Sequence, residues 1–109
     1  MDDFFKYPRT RHCYDTGNSV SRDDLLLTTT EFETTFLQGA VVTVEEKIDG
    51  ANLGLSIDPS SGAIRAQNRS HYVHSTSHPQ FAKLDAWLSS KLSELYDILE
   101  GHNYVLFGE

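Results

Sequence analysis

The sequence holds little of what disulfide-stapled, fibrous or membrane-spanning proteins are built from. One cysteine, Cys13, stands among 109 residues, so no internal disulfide can form and the stapled secreted scaffolds are excluded. A lone thiol fits a reducing compartment, and a cytoplasmic location is expected. Three prolines and seven glycines, without a period, exclude collagen-like and low-complexity chains. No apolar run approaches the ~20 residues needed to span a bilayer. Residues 1–15 have neither the apolar core of a signal peptide nor the acid-poor character of a transit peptide, so no membrane or export signal is expected. Positive charge is scarce as well. Nine Lys and Arg face sixteen Asp and Glu, a net charge of −7, which excludes a general cationic surface for nucleic acid and confines any such contact to a local site. What is present suffices for one small fold. A hydrophobic content of 39% and an aromatic content of 11% allow a modest core and exclude wholesale disorder, and the length corresponds to one domain.

Residues 1–20 combine aromatics and Pro8 with a basic trio, Lys6, Arg9 and Arg11, and then the turn formers Asp15, Gly17 and Asn18, which predicts irregular structure. Two capping-box patterns follow. Ser21-x-x-Asp24 precedes Leu25, Leu26 and Leu27, and Thr30-x-x-Glu33 predicts a short helix over residues 30–38, stopped by Gly39, with Phe32 and Phe36 on one face. The β-branched run Val41-Val42-Thr43-Val44 predicts a strand continuing through Glu45, Glu46 and Lys47. Asp49-Gly50 signals a turn. Leu53, Leu55 and Ile57 then alternate with Gly54 and Ser56 as in a half-buried strand, which Asp58-Pro59-Ser60-Ser61-Gly62 ends. With a third strand over residues 64–67, the middle of the chain reads as an antiparallel β-meander. Residues 70–79 are polar and loop-like. Phe81, Leu84, Leu88, Leu92, Leu95 and Leu99 recur at steps of three and four, tracing one face of a single long helix ended by Gly101. That stripe, with Trp87, reads as core. Tyr104-Val105-Leu106-Phe107-Gly108-Glu109 predicts a final strand. The expected fold class is α+β, an antiparallel meander with a long helix packed against it.

The segment with chemical content is Glu45-Glu46-Lys47-Ile48-Asp49-Gly50-Ala51-Asn52. A lysine at the end of a strand, followed at once by a turn, has a fixed backbone and an amine aimed into the space the turn leaves open. Such an amine can be a nucleophile if desolvation or nearby positive charge lowers its pKa. Glu45 and Glu46 act in the opposite sense, because carboxylates beside a lysine favour its charged form. The depressing partner must come from elsewhere. A Lys-x-Asp-Gly match arises by chance in roughly 2% of chains this long, and a solvated lysine at a surface hairpin is the plain alternative. Gly50 is expected to supply a positive φ or a close approach to phosphate, and Asp49 a side-chain bond that holds the turn.

Taken in order, Glu45-x-Lys47-x-Asp49-Gly50, then Gln67-Asn68-Arg69-Ser70-His71-Tyr72, then Leu106-Phe107-Gly108-Glu109 resemble the first three motifs of the nucleotidyltransferase domain of ATP-dependent RNA ligases. Lys6-Tyr7-Pro8-Arg9-Thr10 and Asp23-Asp24-Leu25-Leu26 are similar to that family's N-terminal stretch, and the stretch from His78 through Leu88 to its inter-motif helix. The resemblance thus covers nearly the whole chain. It implies that Lys47 attacks the α-phosphate of ATP, releasing pyrophosphate and holding AMP, with Mg2+ as the accompanying ion. The AMP then passes to an RNA 5'-phosphate and is displaced by a 3'-hydroxyl, a chemistry suited to RNA repair. It further implies nucleotide-binding roles for Glu45, at the adenine amino group, and for Glu46, Asp49, Gly50, Arg69 and Glu109, the last at the ribose hydroxyl. Arg69 carries a planar fork of donors suited to phosphate or ribose oxygens, with a surface ion pair as its alternative. The fold implied is the first half of an ATP-grasp-like nucleotidyltransferase domain.

Candidate contacts to RNA are Asn52, Asn68, His71, Lys6 and Arg9. Asn52 has the turn backbone as an alternative partner. Lys6, Arg9 and Arg11 form the only cationic cluster, and the interleaved Phe4, Phe5 and Tyr7 either stack on bases or pack on their own domain. His71, His74 and His78 lie in a Ser- and Thr-rich stretch without helical spacing, so no metal site is expected of them. The family's downstream motifs, an aromatic for adenine, a metal-engaging acid and a lysine pair for the α-phosphate, do not follow Glu109. Residues 1–109 are therefore expected to be the N-terminal part of such a domain, with residues 1–20 irregular and the core over residues 41–109, inactive alone. A DNA ligase or a capping guanylyltransferase also uses Lys-x-Asp-Gly, and the Asn-Arg-Ser-His-Tyr phrase favours RNA ligase. The alternative from another class is an inactive remnant or a nucleic-acid-binding module.

Overall fold

The computed structural model describes residues 4–15, 17, 20 and 25–109. They fall into two compact units, one formed by Met1–Tyr7 with Ile48–Glu109 and the other by Pro8–Lys47.

In the second unit, the Thr28 hydroxyl accepts from the Glu31 backbone N–H at 3.1 Å while the Glu31 carboxylate accepts from the Thr28 N–H at 3.0 Å. This capping box starts helix α1, Thr29–Phe32. The box expected at Thr30 and Glu33 therefore forms two residues earlier, and the one at Ser21 and Asp24 lies outside the described residues. After Phe32 the helix widens into a π-turn, Glu33–Leu37. Phe32 and Phe36 share a face as expected, ring centroids 5.8 Å apart. Gly39, with φ of 85°, leaves the helical path. A bridge between His12 and Leu26 ties the segment ahead of the helix together, and Arg11 reaches Glu31 at 2.9 Å.

The strand expected over residues 41–47 does not form. The segment has no regular hydrogen-bonded structure, and Val41 and Val44 are 101% and 91% exposed. A β-branched run becomes a strand only where its N–H and C=O groups find a neighbouring ladder, and none of the described strands pairs with it.

The first unit is a four-stranded antiparallel sheet in the order β3-β2-β1-β4. Strand β1, Leu53–Ile57, pairs with β2, Ile64–Gln67, on one side and with β4, Leu106–Gly108, on the other, while the short β3, Tyr72–Val73, pairs with β2. The β1–β2 turn is closed by Gly62, whose φ of 73° suits a residue without Cβ, and by the Asp58 carboxylate, which accepts from the Ser60 N–H at 2.9 Å and its hydroxyl at 2.7 Å.

Alternation then sorts the sheet into two faces. Leu55, Ala66 and Val73 lie across from one another by register and form the core with Phe81, Leu84, Leu95 and Leu99. The helical layer differs from the single helix expected: a 3-10 turn, Pro79–Phe81, precedes α2, Leu84–Ser90, and α3, Leu92–Leu99. At Lys91, where α2 gives way to α3, the Ser90 hydroxyl donates to the Trp87 carbonyl at 2.7 Å beside the Lys91 N–H, which reaches the same oxygen at 3.1 Å. Trp87, expected in the core, is 45% exposed.

The other face carries Gly54, Ser56 and Gln67 and is covered by the unit's own residues 4–7. The Gln67 side chain, 1% exposed, donates from Nε2 to the Phe5 carbonyl at 2.6 Å. Phe4 packs edge-on to Tyr72 at 5.1 Å and Tyr7 edge-on to Phe107 at 5.0 Å. Phe4 and Tyr7 thus pack on their own domain, one of the two expectations for these aromatics, while Phe5 is 56% exposed. Among the described residues no helix is long and apolar enough to cross a membrane.

Candidate functional site

The register of β1 and β4 brings the ends of two motifs together. Leu53 pairs with Gly108, so residues just before β1 meet residues just after β4. There the Gly50 backbone N–H donates to Glu109 Oε2 at 2.8 Å. The charged acceptor makes this a strong bond for its exposed setting. Gly50 corrects one expectation: it is not among the positive-φ glycines. A Cβ built on it would lie 3.5 Å from the Glu109 Cβ, an ordinary contact. Its contribution is a backbone donor at the turn.

Asn52 lies one step nearer the sheet, on the face shared with Gly54 and Ser56. Its Oδ1 is buried and has no hydrogen-bond partner among the described residues, so this oxygen does not brace the turn backbone. An orphaned buried acceptor costs about 1–3 kcal/mol, and a ligand donor would relieve it. Asp49 is exposed on the turn itself.

At the far end of β2, Asn68 shapes its own loop. Its Oδ1 accepts from the backbone N–H groups of Ser70 at 2.8 Å and His71 at 2.9 Å, and its side-chain nitrogen meets His71 Nε2 at 3.3 Å. Asn68 is thus engaged in an Asx turn that presents Arg69 at its apex. Arg69 is exposed, and its guanidinium lies 5.7 Å over the Tyr7 ring. The surface ion pair that was its alternative is absent among the described residues. His71 and Lys6 are exposed in the same unit.

Glu45, Glu46, Lys47 and Arg9 belong to the other unit and are exposed there. Lys47 precedes Gly50 by three positions in sequence. The structure therefore joins Gly50 to Glu109 and Arg69 to Tyr7 within one unit. His78 caps the 3-10 turn, its Nδ1 accepting from the Gln80 N–H at 3.2 Å, and the His74 N–H donates to the Ser77 hydroxyl. Among the described residues no group of three or more His, Cys, Asp or Glu could hold a metal ion.

Two features escaped the sequence reading. One is a cleft of about 700 Å³ on the helical face, walled by Leu53, Leu84, Trp87 and Leu106 with Lys83 and Glu109 at its polar edge. Nothing in the periodicity distinguishes a stripe that is covered from one left partly open. The other is the aromatic cover of residues 4–7. The alternation Phe5, Tyr7 was its visible sign, but the partners, Phe107 and Gln67, lie some sixty to a hundred residues away.

A family model described as RNA ligase matches residues 40–109, well over half of the chain. No curated protein and no solved structure matches it.

Proposed function

The chain belongs to the RNA ligase family, and from that premise we propose that it carries the nucleotide-binding first half of an ATP-dependent RNA ligase domain of ATP-grasp-like fold. In this reading the Lys47 amine, once deprotonated, attacks the α-phosphorus of ATP. An N–P bond forms, the bond to the pyrophosphate oxygen breaks, and pyrophosphate leaves with its electron pair. The AMP is then transferred to an RNA 5'-phosphate, and a 3'-hydroxyl displaces it to seal the strand.

The observation that carries the reading is the Gly50–Glu109 hydrogen bond. It links the turn after the nucleophile to the acid of the third motif, the two elements a bound nucleotide has to touch together. Arg69, with its in-plane donors unpaired among the described residues, suits phosphate or ribose oxygens. Asn52 Oδ1, a buried acceptor lacking a donor, suits a substrate hydroxyl. Glu45, Glu46 and Asp49 complete the nucleotide set, and Lys6, Arg9, Asn68 and His71 are the proposed RNA contacts, Asn68 through the loop it shapes. Magnesium would enter on the phosphates of ATP, needing only one or two protein carboxylates beside them.

The test is covalent labelling by α-labelled ATP of a polypeptide in which a strand with paired lysines follows Glu109. Label on the parent and none on Lys47→Ala is the expected result. Label on the alanine variant overturns the assignment of the nucleophile, and an unlabelled parent favours a non-catalytic module. Labelling by GTP in preference to ATP would point to capping chemistry.

A further inference from the structure

The N-terminal segment holds the one partner that Arg69 has among the described residues, and the contacts behind it form a continuous support. Gly54 begins it. A Cβ there would sit 2.7 and 2.9 Å from Phe107 ring atoms, so only the absence of a side chain lets the Phe107 ring lie against the central strand. Tyr7 packs edge-on to that ring, centroids 5.0 Å apart and planes at 67°, a preferred aromatic geometry. The Tyr7 face in turn lies under the Arg69 guanidinium. Two residues earlier the backbone is tied down, the Phe5 carbonyl accepting from the buried Gln67 side chain at 2.6 Å. Tyr7 is therefore seated on the sheet and not on a loose arm.

A cation held over an aromatic ring uses up none of its hydrogen-bond donors. The five N–H donors of the guanidinium stay available, and an oxyanion can meet them in pairs. An exposed arginine otherwise spreads over many rotamers, so a fixed ring beneath it narrows the search before a ligand arrives.

We propose that Tyr7 is a positioning residue that presents Arg69 to phosphate or ribose oxygens of the nucleotide, which makes residues 4–7 part of the nucleotide site; this rests on the role given to Arg69 above. The test uses the full chain, with AMP as the probe and 15N spectra read at the Arg69 side-chain Nε–H and the Gly50 backbone N–H. In the free protein the Arg69 side-chain signals are shifted by the Tyr7 ring current. They keep that shift in Tyr7→Phe and lose it in Tyr7→Leu. Tyr7→Leu weakens AMP binding about two- to fivefold, the factor an exposed cation–π contact carries, whereas Tyr7→Phe binds as the parent does.

In an Arg69→Ala background the same Tyr7→Leu change leaves AMP affinity unaltered, although it still lowers the unfolding midpoint by loss of the Phe107 contact. A purely structural Tyr7 would weaken binding equally in both backgrounds, and that result, or unshifted Arg69 signals in the parent, overturns the proposal. If Arg69→Ala alone leaves AMP affinity unchanged, the failure lies with the role of Arg69 itself.

Discussion

Two runs of similar character lie a few residues apart and meet opposite fates. Residues 41–44, Val-Val-Thr-Val, have the higher β-propensity, yet they remain exposed and outside any ladder. Strand β1, with a glycine and a serine in five residues, sits at the centre of the sheet with Gly54, Leu55 and Ser56 all buried. The difference lies in neighbours. β1 finds β2 across a six-residue turn and β4 on its other side, so its backbone groups are paired on both edges and Leu55 drops into the core. Pairing and burial decide which run becomes structure, and intrinsic preference is the weaker term.

The largest test of that contrast is in the core beneath β1. Leu99 is 0% exposed, and Leu99→Ala should destabilise by about 2–5 kcal/mol, the cost of lost transfer plus cavity, measured by urea unfolding. A loss below about 1 kcal/mol would mean that the helical layer does not bury this sheet as described.

Next in size is Gly54→Ala. The new methyl would overlap the Phe107 ring and the Gln67 side chain at 2.7–2.9 Å, and overpacking of this kind costs about 1–3 kcal/mol. Gly50→Ala is its control, because the methyl there meets Glu109 only at 3.5 Å and φ is unstrained; its effect should stay within about 0.5 kcal/mol. If both glycines respond alike, backbone freedom and not close packing explains Gly54. Combining Gly54→Ala with Phe107→Ala should recover part of the loss.

Legibility in the sequence follows the same line. Strands β1 and β2 were readable to the residue because alternation and the Asp58 to Gly62 turn signal agree, and local and global preferences coincide there. The amphipathic stripe from Phe81 to Leu99 was readable as helix, but the break at Lys91 was not, since the steps of three and four between apolar residues run through it unchanged. The strand expected over residues 41–47 failed because propensity was asked to stand in for a partner. In the site, Gly50 and Glu109 could be named from motif order, and their hydrogen bond follows from the β1–β4 register. The Tyr7–Phe107–Gly54 stack could not, because it depends on which residue without a side chain faces which ring.

A smaller effect separates the two sides of the turn that makes β1 and β2 neighbours. Hydrogen bonds from the Ser60 hydroxyl and backbone hold the Asp58 carboxyl below its usual value of 3.8. A carboxyl depressed in the folded state takes up its proton less readily than in the unfolded chain. Its stabilisation is therefore complete above the unfolded value and is lost as pH falls through the folded one. Unfolding followed from about pH 6 to pH 3 should show the parent and Asp58→Asn converging only at the acid end. Curves that stay parallel would remove the carboxylate from the turn.

The smallest expected effect is the most discriminating. Val41→Thr with Val44→Thr keeps both β-branches, and hence the strand preference, while exchanging a methyl for a hydroxyl at each position. At buried strand sites each hydroxyl would have to be desolvated without a partner, and the pair would cost several kcal/mol, roughly 1–3 for each group. On side chains as open as these, water keeps the hydroxyls and the change should stay within about 0.5 kcal/mol. Denaturant unfolding of the double variant thus reads burial with propensity held constant. A neutral result leaves pairing as the factor that separates this run from β1, and a large loss would mean that residues 41–44 are buried in solution and that the contrast with β1 does not exist.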